Sequence, residues 1–416
     1  MIKEITQDKL NGIVQVPASK SDAQRAIIAA SLCKGESLIK NCGSSADVLN
    51  LINALKKLGV EIIEKLPGEL SVKRTADFIS GEINFGESGL SSRLMTSILA
   101  AQKQAFTITG EGSLLKRPMT FFETALPEMG VEFSSNDGFF PIQLQGPIKA
   151  GNYTFDGSLS SQYISGMLMA LPLLVGESRI TVENLASGPY VEMTLRTLFD
   201  FGIEILRDDN QFIIGGNQHY LSTNCHVEGD WSAASYWFVA SALGQEISID
   251  GLSLNSLQAD RRMIDLLEIA NCSLEYHEHG IQVIGDERKP FDFDANDCPD
   301  LFPALVTLAA LTPGISRIKG IGRLATKESN RALALQMEFG KLGLEITFED
   351  DYLLVHGKSV IDGGIVDSHN DHRIAMCLAI VGLFSQSPIH IHGAESVEKS
   401  YPEFWNDLEK LKKIIS

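Results

Sequence analysis

Hydrophobic residues recur at helical spacing in several segments of the chain, and each segment ends in Gly or Asn before a short stretch of alternating polarity. The end residues of these segments are Gly59, Gly130, Gly202, Asn271 and Gly343. They lie 71, 72, 69 and 72 residues apart. Because Gly and Asn readily take the left-handed conformation that closes a helix, the pattern predicts five helices ending there, each followed by a strand. A similar helix is predicted from Phe404 to Ile414.

A second series of predicted helices, rich in small residues, is interleaved with the first. Their starts lie near Ser21, Ser91, Ser160, Ser232, Asp300 and Asp371, at steps of 70, 69, 72, 68 and 71 residues. Each is followed by an alternating strand, near Ile39, Ile108, Ile180, Ile247, Ile315 and Ile389. Two series with one period predict an α/β protein in which a βαβα-type unit occurs six times.

The sixth unit ends with a helix at the point where the other units continue into a strand. The N-terminal stretch Gly12-Ile-Val-Gln-Val16 could supply the missing strand. We therefore predict one three-repeat domain over residues 19–227 and a second that combines residues 1–18 with residues 228–416. The chain would cross between them in a two-strand hinge near Ala18 and Glu228. A length of 416 residues suits two cores.

The composition excludes several classes of protein. With 44% hydrophobic and 21% charged residues, the chain is neither a disordered protein nor a coiled coil. Its longest apolar runs, such as Met167 to Val175, are far shorter than the roughly 20 residues of a membrane-spanning helix. The N-terminal residues lack the apolar stretch of a signal peptide, so a cytoplasmic protein is expected. The six cysteines stand singly, which is typical of reduced thiols rather than of disulfides or a zinc site.

The formal net charge of −18 disfavours nucleic acid as a partner. Cationic and hydroxyl side chains nevertheless gather at the predicted helix starts, where free backbone N–H groups and the helix dipole favour anions. The cations in such positions are Lys20, Arg25, Arg117, Lys327, Arg331, Arg373 and Lys399. In an acidic protein, this pattern predicts a cleft between the domains that binds a small substrate carrying phosphate and carboxylate groups.

Other ligands are not indicated by the sequence. No Walker loop or G-x-G-x-x-G motif follows a predicted strand, so neither ATP nor a dinucleotide is expected. His277 and His279 alternate on one predicted strand, and His390 and His392 on another, without a convincing third ligand. We therefore expect no metal site.

Ten motifs, in this order along the chain, resemble those of the EPSP synthase (3-phosphoshikimate 1-carboxyvinyltransferase) family of enolpyruvyl transferases. They are Ser19-Lys-Ser-x-x-x-Arg25, Gly86-Glu-Ser-Gly89 with Arg93, Arg117-Pro-Met119, Gly157-Ser-x-Ser-Ser-Gln162, Val227-Glu-Gly-Asp230, Ser256-Leu-Gln-x-Asp260, Pro299-Asp300, Lys327-Glu-Ser-Asn-Arg331, Asn370-Asp-His-Arg373 and Lys399-Ser-Tyr-Pro402. The resemblance covers residues 16–404, nearly the whole chain.

The resemblance implies two inside-out α/β barrel domains, each of three βαβαββ-type repeats, with an active-site cleft between them. It also implies the reaction of phosphoenolpyruvate with the 5-hydroxyl of shikimate 3-phosphate, which gives EPSP and phosphate on the route to chorismate and aromatic amino acids. The reaction would pass through a tetrahedral intermediate and consume no cofactor. A monomer is expected, since the sequence gives few signs of an exposed apolar face.

Site residues follow from the resemblance, motif by motif. The residues implied to bind shikimate 3-phosphate are Lys20, Ser21, Arg25, Ser160, Ser161, Gln162, Ser187, Asp300 and Lys327. Those implied to bind phosphoenolpyruvate are Lys20, Gly89, Arg117, Gln162, Arg331, Arg373 and Lys399. Asp300 would be the base for the 5-hydroxyl, and Glu328 would exchange the methyl proton, with Lys20 as an alternative acid.

Two other functions stay open at this point. UDP-N-acetylglucosamine enolpyruvyl transferase has the same fold and donor, but it carries a Cys in the loop before Arg117-Pro118, and residues 110–117 contain none. A non-catalytic relative that binds a metabolite is the second alternative, and the presence of both Asp300 and Glu328 argues against it. Three departures from the family pattern, at Leu90, Gly188 and Ala325, bear on substrate affinity rather than on the type of reaction.

Overall fold

The computed structural model describes residues 1–412, and two interleaved series of α-helices run through it. The helices are α1 (Lys20–Leu32), α2 (Ala46–Lys57), α3 (Gly89–Ala100), α4 (Thr120–Glu128), α5 (Ser161–Ala170), α6 (Gly188–Asp200), α7 (Trp231–Ala242), α8 (Met263–Ile269), α9 (Phe302–Ala310), α10 (Arg331–Lys341), α11 (His372–Gly382) and α12 (Phe404–Lys412). The odd-numbered helices are the small-residue series, and their predicted starts are confirmed. The last two residues of the helix predicted to end at Ile414 lie outside the described part of the chain.

The predicted ends of the other helix series are confirmed by the backbone angles. The five end residues have positive φ, at 91° for Gly59, 85° for Gly130, 76° for Gly202, 62° for Asn271 and 79° for Gly343. A non-glycine side chain is uncommon in this left-handed region, and Asn tolerates it better than most residues do. The Asn271 side chain also donates to the backbone oxygen of Glu287 at 2.9 Å, which ties the turn to the following segment.

Short strands flank the helices. They are β1 (Ile2–Ile5), β2 (Asn11–Gln15), β3 (Glu36–Lys40), β4 (Glu61–Leu66), β5 (Glu69–Lys73), β6 (Gly81–Asn84), β7 (Ala105–Thr109), β8 (Glu132–Asn136), β9 (Phe139–Gln145), β10 (Asn152–Asp156), β11 (Ser178–Glu183), β12 (Ile205–Asp208), β13 (Gln211–Ile214), β14 (Asn224–His226), β15 (Glu246–Asp250), β16 (Ser273–His277), β17 (Gly280–Ile284), β18 (Asp292–Asp294), β19 (Gly314–Lys319), β20 (Glu345–Glu349), β21 (Tyr352–Gly357), β22 (Gly364–Asp367) and β23 (Ile389–His392).

Each repeat supplies most of the strands of one sheet, and a strand from a distant part of the chain completes three of the sheets. The repeat around α3 is representative: β6 pairs in parallel with β7 across the helix, and β7 then pairs antiparallel with β9 of the β8–β9 hairpin. The order of elements is therefore βαβαββ. Sheets of the same design have the strand orders β14-β3-β5-β4, β10-β11-β13-β12, β2-β15-β17-β16 and β18-β19-β21-β20.

The sixth repeat is completed by a different N-terminal strand from the one predicted. β1 pairs antiparallel with β23, with Ile2 opposite His392, and takes the place of the missing hairpin. The stretch predicted for this role forms β2 instead, which pairs in parallel with β15 of the fourth repeat. The prediction was wrong because two strands lie before residue 16, and hydrophobic pattern alone does not say which open sheet edge each one fills.

Backbone contacts divide the chain into two compact units. Met1–Pro17 with Glu228–Ser416 form the C-terminal unit, and Ala18–Val227 form the N-terminal unit. Strand β14 lies just before the boundary at Glu228 and pairs with β3 inside the N-terminal unit. The predicted domains of residues 19–227 and of residues 1–18 with 228–416, joined by a two-strand hinge, stay a prediction.

The small-residue helices form the core of each unit. All twelve residues of α3 are buried, as are all nine of α9 and all eleven of α11. A helix buried on every side belongs inside a core, while the strands alternate between buried and exposed positions, as in β9. A Cβ added at Gly166 of α5 would lie 2.6 Å from Ser97 Oγ of α3, so this glycine permits the close contact of the two helices. Helices inside and sheets outside are the predicted inside-out arrangement.

Candidate active site

The carboxylate of Asp300 stands at the centre of a cluster of cations in the C-terminal unit. It lies in a 3-10 helix, Pro299–Leu301, just before α9. Its Oδ1 accepts hydrogen bonds from Arg331 Nη1 at 2.6 Å and from Lys327 Nζ at 3.3 Å, and its Oδ2 accepts one from Arg373 Nη2 at 3.0 Å. Burial opposes ionisation, but the charges of Arg373, Lys327 and Arg331 outweigh it and hold the pKa of Asp300 well below its usual range. The group is therefore an anion at neutral pH.

Arg331, the first residue of α10, ties three carboxylates together. It is only 1% exposed and also binds Glu328 through Nη2 and Asp371 through Nε, the latter at 2.8 Å. Burial would lower its pKa, but the three carboxylates raise it well above the ordinary value. A buried charge persists only where it is paired and hydrogen-bonded in this way, so Arg331 is a fixed cation of the cluster.

The motif Asn370-Asp-His-Arg373 carries the cluster cation Arg373 and a carbonyl that binds one further cation, Lys399. Asp371 caps α11, with Oδ1 accepting from Arg373 N at 3.0 Å, and its Oδ2 accepts from Ser329 Oγ at 3.1 Å. Lys399, at the end of the 3-10 helix Ala394–Lys399, donates to the backbone oxygen of Asn370 at 2.7 Å. Lys327 is half-buried, and burial lowers its pKa although Asp300 acts in the opposite direction.

Asp260 is a buried carboxyl group that interacts electrostatically with Asp300 and Arg373 of this cluster. Ser232 Oγ donates to its Oδ2, and among residues 1–412 no hydrogen-bond partner is found for Oδ1. Burial raises the pKa of Asp260 to about 7, with the negative charge of Asp300 adding to the rise and Arg373 opposing it. Sequence reasoning quoted Asp260 within a motif but assigned it no role.

The raised pKa of Asp260 predicts a specific pH dependence of stability. Unfolded protein releases this proton near about pH 4, whereas the folded protein keeps it up to about pH 7, so wild-type stability falls between these values as pH rises. Asp260→Asn cannot ionise and escapes this loss. We expect the urea midpoint of the variant, relative to wild type, to be higher at pH 8 than at pH 5. Asp265→Asn, at an exposed position of α8, is the control, and an equal difference at both pH values would contradict the prediction.

In the N-terminal unit, Lys20 is the first residue of α1 and pairs with Asp47 of α2, Nζ to Oδ2 at 3.0 Å. The buried Gln24 side chain connects this pair to the start of α3, because its Nε2 lies 3.3 Å from Asp47 O and 2.8 Å from both Ser88 Oγ and Ser91 Oγ. Asp47 and Gln24 were missed by sequence reasoning. An acid in the first turn of α2 is an ordinary helix feature, and nothing local indicates that it faces Lys20.

Gly89 is the first residue of α3, and the Arg117 guanidinium lies close to its Cα. A Cβ built at Gly89 would lie 2.7 Å from Arg117 Nη1 and 3.5 Å from Arg93 Nη1. Arg93 in turn donates to Gln162 Oε1 at 2.7 Å, and its guanidinium lies over the Tyr163 ring at 5.0 Å from the centroid. Gly89, Arg117, Arg93 and Gln162 therefore lie close together. The sequence analysis predicted a binding role for all of them except Arg93.

The predicted phosphate-binding hydroxyls stand at two neighbouring helix starts. Ser160 caps α5, accepting from Gln162 N at 3.3 Å, and Ser161 is its first residue. Ser187 precedes α6 in a left-handed conformation, with φ of 56°. The two loops touch, since Ala186 N donates to Gly157 O at 3.3 Å. The geometry suits hydroxyl and backbone donors directed at an anion.

Arg25 is fully enclosed by the N-terminal unit. Its guanidinium donates to Thr194 Oγ1 at 2.9 Å, to Ser21 O at 2.8 Å and to Tyr190 O at 3.1 Å. Burial lowers its pKa to about 10. These bonds hold α1 against α6, and a ligand contact of Arg25 stays a prediction.

The comparisons with known proteins agree with this geometry. A family model described as EPSP synthase (3-phosphoshikimate 1-carboxyvinyltransferase) matches residues 5–408. The chain belongs to the EPSP synthase family.

Relatives in the EPSP synthase family are similar over their full lengths. The 3-phosphoshikimate 1-carboxyvinyltransferase of Clostridium kluyveri is 39% identical over 411 residues, which cover 98% of this chain and 96% of the relative. The enzyme of that name from Clostridium perfringens is 38% identical, with coverage of 99% and 98%. Among solved structures, EPSP synthase from Acinetobacter baumannii matches with a TM-score of 0.81 at 25% identity, covering 99% of this chain and 98% of that chain.

Within residues 1–412, no helix combines the length and the hydropathy that a membrane span requires. The same part of the chain contains no group of three or more His, Cys, Asp and Glu side chains placed to hold a metal ion.

Proposed function

We propose that this protein is a transferase that moves the enolpyruvyl group of phosphoenolpyruvate to the 5-hydroxyl of shikimate 3-phosphate, with release of phosphate. Its family and the names of its full-length relatives support this reaction. The observation that carries the chemistry is the Asp300 carboxylate, which accepts hydrogen bonds from Lys327, Arg331 and Arg373. An anion held among cations provides both a proton acceptor and a set of charges for anionic substrates.

In the addition step, the 5-hydroxyl oxygen forms a bond to C2 of phosphoenolpyruvate and loses its proton to Asp300. The methylene carbon gains a proton from protonated Glu328, or from Lys20, which gives the tetrahedral intermediate. The cations keep Asp300 a weak base before substrates bind. When anionic groups of the substrates pair with Lys327 and Arg373, they take over part of this positive charge, and the pKa of Asp300 rises towards that of a useful base.

In the elimination step, the methyl group of the intermediate loses a proton and the C2–O bond to phosphate breaks. We assign this proton exchange to Glu328, which the ion pair with Arg331 fixes beside Lys327. Lys20 is the alternative acid for the addition step, and its ion pair with Asp47 supports a defined position. The methyl proton returns to the group that supplied it, and the proton held by Asp300 passes to the released phosphate or to solvent. The protein then regains its starting state, so no cofactor is needed.

The binding assignments remain those of the sequence analysis. The residues assigned to shikimate 3-phosphate are Lys20, Ser21, Arg25, Ser160, Ser161, Gln162, Ser187, Asp300 and Lys327. Those assigned to phosphoenolpyruvate are Lys20, Gly89, Arg117, Gln162, Arg331, Arg373 and Lys399. Hydroxyls donate to phosphate without adding charge, and arginine binds carboxylate or phosphate through paired N–H groups. The predicted monomeric state and cytoplasmic location also stay predictions.

A phosphate-release assay tests the reaction. Purified protein should release phosphate from phosphoenolpyruvate only when shikimate 3-phosphate is present. Substitution of UDP-N-acetylglucosamine for the acceptor should give none, since residues 110–117 lack the Cys of the sister enzyme. No release with shikimate 3-phosphate would overturn the proposal, and release with the nucleotide sugar would favour the sister reaction.

A further inference from the structure

Glu338 is a fully buried carboxylate that the proposed reaction does not use. Its side chain is 0% exposed, near the C-terminal end of α10. Its Oε2 accepts from the backbone N–H of Asp367 at 2.8 Å, its Oε1 lies 2.7 Å from His369 Nε2, and Lys341 Nζ lies 2.7 Å from Oε2. A buried carboxylate destabilises the fold unless several donors pair with it. The segments that supply those donors are therefore the ones that Glu338 positions. Two of the three donors belong to one loop.

That loop, residues 367–371, has an uncommon backbone. His369 and Asn370 are consecutive residues with positive φ, at 53° and 55°. Non-glycine residues rarely take this conformation, and surrounding contacts must maintain it. Ser368 supplies some of them, since its Oγ donates to Gly393 O at 2.9 Å and its carbonyl accepts from Asp371 N at 2.9 Å. The result is that Asn370 O faces Lys399 Nζ at 2.7 Å.

Helix α10 holds both ends of this loop. Arg331 and Glu338 are seven residues apart, about two helical turns, and therefore lie on one face of the helix. Arg331 binds Asp371 at the C-terminal end of the loop, and Glu338 binds Asp367 and His369 at the other. Both side chains are buried, so α10 holds loop 367–371 in place at two points.

We propose that Glu338 is a positioning residue for phosphoenolpyruvate binding: it holds loop 367–371 so that Asn370 O fixes the Lys399 ammonium. The inference rests on the proposed function for the identity of the ligand, but its structural part does not. Glu338 acts through the loop, by its bonds to Asp367 N and to His369 Nε2.

The test is Glu338→Gln, which keeps the side-chain volume but removes the charge. We expect KM for phosphoenolpyruvate to rise about three- to tenfold, as for the loss of one hydrogen bond, with KM for shikimate 3-phosphate within about twofold of wild type. Lys341→Ala removes the half-exposed partner of the same carboxylate without touching the loop, and it should leave both constants unchanged. In a Lys399→Met background, Glu338→Gln should add little, because both changes act on one contact.

Hydrogen exchange of peptides spanning residues 365–373 gives a readout that does not depend on activity. Exchange there should be faster in Glu338→Gln than in wild type and in Lys341→Ala. Unchanged exchange, or an equal rise in both KM values, would overturn the inference. If wild-type protein releases no phosphate, the proposed function fails, and the exchange result alone decides the role of Glu338. Should Glu338→Gln not fold, His369→Ala removes one loop partner at a 30% exposed side chain, with the same expected results.

Discussion

Asp300→Asn is expected to lower kcat for phosphate release by about 10²- to 10⁴-fold, the usual effect of losing a general base. Asparagine has the size of aspartate but cannot accept the 5-hydroxyl proton. It also removes the negative charge that Lys327, Arg331 and Arg373 share. Steady-state phosphate release at saturating concentrations of both substrates measures the effect, with circular dichroism to establish that the variant is folded.

The matched control is Asp297→Asn, an exposed carboxylate three residues earlier in the same segment. It should retain wild-type kcat within about twofold, since surface substitutions of this kind disturb little. Full activity in Asp300→Asn, or equal losses in both variants, would remove Asp300 from the mechanism. The result would then favour Glu328 as the acceptor of the hydroxyl proton.

Gly89→Ala should raise KM for phosphoenolpyruvate by roughly 10- to 100-fold, because a misplacement of about 1 Å at a binding group can have an effect of that size. The added methyl group would lie 2.7 Å from Arg117 Nη1, closer than a real Cβ contact allows, so the guanidinium must move. The buried surroundings of Arg117 leave it little room to do so. Initial rates at varied phosphoenolpyruvate and saturating shikimate 3-phosphate give the constant.

Gly188→Ala provides a control at an equivalent helix position. Gly188 is the first residue of α6, as Gly89 is of α3, and a Cβ built there meets nothing within 4 Å. Its KM for phosphoenolpyruvate should be unchanged. A normal constant in Gly89→Ala would mean that Arg117 does not bind this substrate.

The repeat was predictable because its signals are local. A helix that ends at Gly or Asn needs only a residue that tolerates positive φ, and Gly59, Asn271 and Gly343 all show it. A helix start needs only a cap and small residues that pack closely, as in α3 and α5. Such features lie within a few residues of one another, so the sequence expresses them directly.

Contacts between residues far apart in the chain could not be predicted from the sequence. β1 meets β23 across almost the whole chain, and the strand first expected there pairs with β15 instead. Among the site residues, Asp47 beside Lys20 and Gln162 beside Arg93 are likewise products of packing between elements. Alternating polarity identifies a strand but not the strand it pairs with. A single acidic residue such as Asp47 is predicted to be a solvent-exposed surface charge.

The sequence by itself determined the α/β class, the six-fold period, the helix boundaries and most of the charged residues at the helix starts, because periodicity and capping are short-range properties. Only the tertiary structure decided which sheet edges the N-terminal strands fill, that Asp300 lies among three cations, and that Glu338 and Arg331 hold one loop from one helix. These contacts join elements that are far apart in the chain. Burial and electrostatic interaction depend on distances in space, which the spacing of residues along the sequence does not determine.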